Sequence, residues 1–448
     1  MLNEKMKNVV KSVNDNLSER EELVETIALA LLTRKNLFVL GKPGQAKSQA
    51  IDLFRSHIDG AKQFEILMSK GTDAEQLFGR LDLASIIPGH VAKSRLNEDA
   101  EYTDSMKRLE DMLSRPQNDD CLNEMKELEE KIEVRKKAIS LKYGGTPEMI
   151  TASKIPDSHI CFLDEIFKSG DGVLNSLLKA LNERVYTNEG VTADIPVISF
   201  FSASNEIPNF NNPEEKSLQA LYDRFDFKVI THNVAEKSNR MKVLKMKQGA
   251  TANNGKAGIT LDELYAMQEE VINVTVPDSI NELADNILCE LRRRDIDVSD
   301  RTYFNYSPVV KAKAWLCGRD TVESSDMLSL VNYLWNKPEE YAVVKEVITK
   351  LIENPIGEKL DKLFANSCIL RDSFNASDDK NKALREFRRG IIPIYDELQM
   401  LKIGLADTDP TLSAINGTET TIEEINKEIH KKTNFTYITM GEIKALEN

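Results

Sequence analysis

Residues Gly41-Lys42-Pro43-Gly44-Gln45-Ala46-Lys47-Ser48 follow the apolar run Asn36 to Leu40 and open a helix-like segment. A polyphosphate needs that order. Glycines let the backbone curl until N–H groups point inward, a lysine reaches the β- and γ-phosphates, and a hydroxyl ligates Mg²⁺. Lys47 and Ser48 are the residues for the last two tasks. Ala46 stands where the strict GxxxxGK[ST] pattern has its second glycine, and a small residue at a helix start keeps the curl. A second segment, Ile160-Cys161-Phe162-Leu163, reads as a short buried strand ending in Asp164-Glu165. Ligands of open α/β sheets sit at that end of the strands. There Asp164 would bind Mg²⁺ through its hydration shell, and Glu165 would orient and deprotonate the water attacking the γ-phosphate. Standing alone the pair reads more readily as solvated loop acids; its position behind a phosphate loop favours chemistry.

Two more segments extend the set. Pro196 to Ser202 reads as another buried strand leading into Ala203-Ser204-Asn205-Glu206. Asn205 there can hydrogen-bond the attacking water or the γ-phosphate, or else simply form a turn before Ile207-Pro208. Arg224 lies where the helical pattern Leu218 to Tyr222 gives way to a strand from Phe225 to Ile230. A guanidinium at that junction can reach a neighbouring subunit's phosphate, or pair internally with Asp223.

The elements that must hold these residues alternate. Glu19 to Leu32 has Leu23, Ile27 and Leu31 at helical spacing and leads into the first strand, and Phe64 to Met68 is a further strand after the phosphate loop. Five short apolar runs separated by helical patterns predict a parallel sheet covered on both faces. Leu174, Leu177, Leu178 and Leu181 form the core stripe of the helix after Asp164-Glu165. Val185 to Val191 has hairpin composition, with the turn at Asn188 to Gly190.

In this order GKPGQAKS (41–48), CFLDEI (161–166), LNSLLKALNERVYTNEG (174–190), ASNEIP (203–208) and ALYDRF (220–225) resemble AAA+ ATPases of the MoxR class, nearest the RavA type. VSDR (298–301) and CGRDTV (317–322) resemble that class's lid. The resemblance implies an α/β AAA+ P-loop module with a five-stranded parallel sheet, a helical-hairpin insertion, an all-helical lid and a mostly helical C-terminal region. It implies ATP and Mg²⁺ as cofactors. Gly41 to Ser48 would bind the phosphates, Ser48 and Asp164 the metal, and Glu165, Asn205, Arg224 and Arg301 would serve as base, sensor 1, arginine finger and sensor 2. Ser299 is the expected N-cap placing Arg301 in a first helical turn that points back toward the nucleotide. The nearby Arg292-Arg293-Arg294 offers the alternative sensor 2, or else solvates a helix end, where cations favour the dipole.

The expected boundaries are 1–232 for the α/β subdomain, 233–338 for the lid and 339–448 for the C-terminal domain. Within the first, 91–153 is the insertion and 184–196 the hairpin. In the insertion Met106, Leu109 and Leu113, then Met125, Leu128, Ile132 and Ile139, recur at three- and four-residue steps among Glu and Lys, with a turn at Ser114 to Asp120. That pattern predicts an antiparallel helical hairpin, either a projecting arm or a charge-solvated pair packed on its own body. Thr260 with Glu263 predicts a capping box. Ile280, Leu283, Ile287 and Leu291 form one lid stripe; Met327, Leu330, Val331 and Leu334 form another. In the tail, Asn354-Pro355 and Ile391 to Ile394 read as breaks, Asn434 to Met440 as a short strand, and Gly417 to Glu419 as the opening of the last helical pattern.

Composition sets outer limits. With 448 residues the prior is about three domains. A net charge of -14 disfavours nonspecific attraction to nucleic acid. Five scattered cysteines without a CxxC pair suit a reducing cytoplasm, and five histidines without HExxH give no zinc motif. No apolar run approaches the ~20 residues of a membrane span, and Met1 to Arg20 is too charged for a signal peptide. The functional expectation is ATP hydrolysis in a homo-oligomeric, hexameric ring that remodels protein substrates beside a von Willebrand A domain partner. The competing classes are a nucleic-acid-acting AAA+ enzyme, helicase-like or restriction-associated, and a slow nucleotide-switched scaffold.

Overall fold

The computed structural model describes residues 1–87, 90–114, 119–144, 148–188, 191–213, 215–248, 258–353, 355–403 and 410–447. Five strands form the central sheet: β1 Leu37–Leu40, β2 Gln63–Leu67, β3 Ile160–Asp164, β4 Ser199–Ser204 and β5 Phe227–Ile230. Their order is β5-β1-β4-β3-β2, and every neighbouring pair is parallel. The expected parallel sheet is therefore present.

β4 is buried at all six positions, as an interior strand covered on both faces must be. Its serines are tolerated there because each has a partner. Ser199 Oγ donates to the Ala30 carbonyl at 2.9 Å and Ser202 Oγ to the Leu163 carbonyl at 2.8 Å. Helices α1 Leu2–Asp15, α2 Glu21–Thr33 and α3 Lys47–Arg55 are followed by the insertion helices α4 Ala100–Leu113 and α5 Asp119–Tyr143. Those two form the expected hairpin: Asp99, which caps α4, meets Arg135 near the far end of α5 at 2.7 Å, so the helices run antiparallel. The expected turn at Ser114 to Asp120 falls partly outside the described residues. At the base of the insertion, Arg80–Leu81 pairs antiparallel with Met149–Ile150.

Helix α6 Asp171–Glu183 follows β3, and its Leu174, Leu177 and Leu181 are buried with Phe38, Phe200 and Tyr222 in the core. Phe38 lies 5.3 Å from Phe167, 5.6 Å from Tyr222 and 5.9 Å from Phe225, ring centre to ring centre. Truncating such a ring typically costs about 3–5 kcal/mol. Val185–Asn188 and Val191–Asp194 pair antiparallel as the expected hairpin, whose tip residues Glu189 and Gly190 lie outside the described set. Then come α7 Lys216–Tyr222, α8 Lys237–Lys247, α9 Leu261–Ile272, α10 Asp278–Arg293, α11 Asp300–Phe304 and α12 Ser307–Cys317. The capping box of α9 is made: Thr260 Oγ1 accepts from the Glu263 amide at 3.2 Å, and Glu263 accepts from the Thr260 amide at 3.0 Å. Met327, Leu330, Val331 and Leu334 are buried, on a 3₁₀ stretch that runs into a single helical turn.

The chain divides into two compact units, residues 1–277 with 298–341 and residues 278–297 with 342–448. The segment expected as a lid is thus shared between them. The second unit contains α10 and the helices α13 Glu340–Glu353, α14 Pro355–Ala376, α15 Lys380–Lys402, α16 Pro410–Lys431 and α17 Met440–Glu447.

Three tail expectations are corrected. α15 continues through Pro393. An interior proline costs about 3 kcal/mol, but Ile391, Ile394 and Leu398 are buried on the same helix, and each large apolar side chain returns about 1.5–3 kcal/mol. α16 likewise runs through Gly417 instead of starting there. Asn434 to Met440 is not a strand, because side chains take its backbone groups. Asn426 Nδ2 donates to the Ile438 carbonyl at 2.9 Å, and Glu423 accepts from the Met440 amide at 3.1 Å.

Candidate nucleotide-binding site

At the trailing edge of β1 the chain turns through Gly41 to Ala46 and enters α3 at Lys47. Gly44 has φ +80° and Ala46 φ 58°, so the curl uses the left-handed region twice. Ala46 pays for lacking glycine's freedom with roughly 1–2 kcal/mol of backbone strain. Gly41 is required by close approach: a Cβ there would lie 2.0 Å from Thr231 Oγ1 and 2.4 Å from Gln45 Oε1. Lys42, Pro43 and Gly44 are exposed at the tip, whereas Gln45 is buried and turns away from it. Gln45 accepts from Thr231 Oγ1 at 3.0 Å and donates to Asn233 Oδ1 at 3.1 Å, bracing the loop against the end of β5. Ser48 is half-buried in the first turn of α3.

The parallel register carries three strand ends to the same edge. Leu40 of β1 is level with Ser204 of β4, and Asp164 of β3 with Ala203. Lys47 Nζ, in the first helical turn, donates to the carbonyls of Gly41 and Lys42 and to Asn205 Oδ1, the last at 3.0 Å. Asn205 in turn donates to Glu165 Oε1, whose other oxygen accepts from Ser204 Oγ at 3.3 Å and faces Lys168 at 3.6 Å. Glu165 sits at φ 54°, with its amide held by the Ala203 carbonyl at 2.7 Å and by Asp164 Oδ1 at 3.1 Å. Non-glycine residues in that region store strain, which tends to concentrate at functional sites.

Charges in this corner are desolvated. Burial pushes the Asp164 carboxyl above the usual range, the Glu165 charge adds to this, and Lys47 opposes it. Burial likewise lowers Lys47, with Asp164 and Glu165 opposing. Beside the loop lies a cavity of about 520 Å³ lined by Gly41, Lys42, Asn205, Ile207, His232 and Asn233 among others. Its size suits a small organic ligand. The arrangement offers a cation, a loop curled through the left-handed region at Gly44 and Ala46, two hard oxygen donors in Ser48 and Asp164, and a second carboxylate fixed by an amide.

Arg224 and Arg301 are not brought to this corner. Phe227 of β5 is level with Leu37, where β1 begins, so Arg224 precedes the leading edge of the sheet. A four-residue strand rising about 3.3 Å per residue separates it from its own phosphate loop. Asn36 holds it there. Asn36 Nδ2 donates to the Arg224 carbonyl at 2.9 Å and to the Leu181 carbonyl at 3.2 Å, while Oδ1 accepts from Arg184 at 2.8 Å and the Phe200 amide at 3.2 Å. Arg224 Nε is buried without a hydrogen-bond partner. Ser299 is the expected N-cap of α11, accepting from the Thr302 amide at 3.2 Å, yet Arg301 does not point back toward its own phosphate loop. It donates to Asn182 Oδ1 at 2.9 Å, at the end of α6 and on the same leading edge. Asp223 feels Lys228, Arg224 and Arg301 together. Of the nearby alternatives, Arg293 and Arg294 pair with Glu290, and Arg294 also reaches Glu346 at 3.1 Å.

Asn36, Thr231 and Ser204 do not stand out in the sequence as part of the site. Each is a small polar residue bordering an apolar run, and only the sheet register shows what it touches.

Comparison with known proteins gives the family. The family model described as the MoxR domain in MoxR-vWA-beta-propeller ternary systems matches residues 4–101 and 121–269, and a model of an AAA lid domain matches 275–348. An uncharacterised protein of Methanocaldococcus jannaschii is 27% identical over 95% of this chain and 96% of its own length. A second from the same organism is 30% identical over 80% of this chain and 77% of its own. A solved structure of a candidate ATPase from Cytophaga hutchinsonii superposes with a TM-score of 0.52 at 15% identity, covering 78% of this chain and 94% of that one, which speaks for the fold alone. With phosphate loop, paired acids, strand-end asparagine and family models in one register, the chain belongs to the MoxR family of AAA+ ATPases.

Proposed function

We propose that this chain hydrolyses Mg²⁺-ATP at the corner between β1, β3 and β4, and that hydrolysis is completed by a second copy. The observation that carries the reading is the unbroken hydrogen-bond path Lys47, Asn205, Glu165 beside Asp164, with Asn205 also lining the cavity. The residues suit the cofactor. Ser48 and Asp164 supply the hard oxygens Mg²⁺ prefers, and the carboxylates of Asp164 and Glu165, crowded and partly buried, gain from a divalent cation. Bound there, the metal would neutralise charge on the β- and γ-phosphates.

The chain's own residues do the rest. Lys47 exchanges the Gly41 and Lys42 carbonyls for phosphate oxygens. Glu165 takes a proton from the attacking water, and Asn205 fixes both Glu165 and that water. Arg224 and Arg301, facing away from their own loop, are offered to the loop of a neighbouring copy, as finger and sensor 2 acting across the junction. Such a cation contributes on the order of 10³ to 10⁵ in rate, so an isolated subunit would be nearly silent.

Resemblance to the RavA type supports a hexameric cytoplasmic ring that remodels protein complexes. The description of the matching family model supports a von Willebrand A domain protein, and beside it a β-propeller protein, as partners. Among the described residues no helix is long and apolar enough to cross a membrane. Replacing Glu165→Gln tests the chemistry: nucleotide binding persists while turnover falls by about 10² to 10⁴. Comparable turnover in that variant would remove Glu165 from its role.

A further inference from the structure

Behind the phosphate loop lies a buried cation that the chemistry above does not use. Arg20, between α1 and α2, is 6% exposed and is held by backbone carbonyls. Its Nε donates to the Gln45 carbonyl at 3.0 Å, one Nη to the His232 carbonyl at 2.8 Å and the other to the Glu19 carbonyl. Gln45 belongs to the phosphate loop and His232 to the segment that follows β5, and both line the cavity. The preceding residue repeats the pattern with opposite charge. The Glu19 carboxylate accepts from the amides of Ala235 at 2.7 Å and Glu236 at 2.9 Å and from Asn239 Nδ2 at 3.0 Å, around the start of α8. Glu19 itself lies at φ 56°, a conformation the surrounding bonds must sustain.

The geometry has a direct consequence for the loop. In a trans peptide the carbonyl and the next N–H point in opposite directions. With the Gln45 carbonyl turned outward onto Arg20, the Ala46 N–H is turned toward the concave side, where an anion's oxygen is received. A charged donor on the carbonyl also polarises that peptide and strengthens its N–H as a donor.

We propose that Arg20 is a positioning residue for the nucleotide: it orients the Gln45–Ala46 peptide and, with Glu19, ties the phosphate loop to the segment that follows β5. The proposal rests on the nucleotide reading of the site. Arg20 touches no reacting atom, so its loss weakens binding more than chemistry.

The test uses the full chain and a fluorescent ADP analogue with Mg²⁺, alongside saturating-ATP turnover and thermal melting. In Arg20→Met, which keeps the aliphatic stem, the dissociation constant rises about tenfold while turnover at saturation stays within about twofold. Arg20→Lys recovers part of the affinity, since an ammonium replaces the guanidinium's spread of donors with a single centre. A cooperatively melting Arg20→Met with wild-type affinity overturns the proposal. If that variant does not fold, Arg20→Lys decides, with weakening of about threefold or more expected and unchanged affinity contradicting it. Failure of the wild type to bind the analogue would instead remove the nucleotide reading, and this inference with it.

Discussion

Asn205 stands between a cation and a carboxylate, accepting from Lys47 and donating to Glu165, and so spans two parts of the sequence separated by more than a hundred residues. Its neighbour in the site, Ala46, shows how little a departure from the glycine pattern matters. Relief of left-handed strain in Ala46→Gly is worth roughly 1–2 kcal/mol, and the added unfolded-state entropy costs about 0.5–1 kcal/mol. The variant is therefore expected to melt at or slightly above the wild-type temperature and to bind labelled ADP unchanged. A clear loss of affinity would mean that the alanine methyl is itself used. Lys47, Asp164, Glu165 and Asn205 are legible in the sequence because each follows an apolar strand run, and strand ends converge in a parallel sheet. Arg20 and Asn36 are not legible. A charged residue in a charged N-terminal segment gives no sign that it will be buried, and its partners are carbonyls that no sequence pattern marks.

Among elements, strands are read well where both faces are covered and poorly where side chains outbid the ladder. β3 and β4 appear as unbroken apolar runs, whereas Asn434 to Met440 loses its pairing to Asn426 and Glu423. Pro393 reads as a break because the local cost is visible and the burial that offsets it is not. Pro393→Ala should therefore stabilise the second unit, by up to about 3 kcal/mol, in denaturant unfolding. Destabilisation would show that the proline ring itself is needed for packing.

The α15–α16 contact adds a pH dependence. His430 Nδ1 donates to the Asn426 carbonyl and Nε2 accepts from Arg388 at 2.8 Å, so a second ring proton would face a guanidinium. Burial holds His430 below its ordinary range, with Arg388 acting the same way and the Asn426 carbonyl and Glu423 opposing. The unfolded chain then takes up its proton first. Stability is complete above about pH 6.5 and is lost as pH falls through and below it. Urea midpoints at about pH 7.5 and about pH 5.5 should fall further apart in the wild type than in His430→Gln; equal differences would exclude this residue.

At the scale of the molecule, the sheet holds the phosphate-loop residues and the two candidate trans-acting arginines at opposite edges. The edge where β1 ends carries Lys47, Asp164, Glu165 and Asn205; the edge where it begins carries Arg224 and Arg301. The order of the motifs gives the family and the sheet, but not that Arg301 faces away from its own loop, since Ser299 caps its helix without fixing where the helix lies. One mixing experiment tests the shared site most directly. Lys47→Ala and Arg224→Ala are each expected to hydrolyse almost nothing alone. In an equimolar mixture, roughly a quarter of random junctions pair an intact phosphate loop with an intact arginine, so turnover should return to about that fraction of wild type. No recovery at any ratio, together with wild-type turnover by Arg224→Ala alone, would contradict a site completed by a second copy.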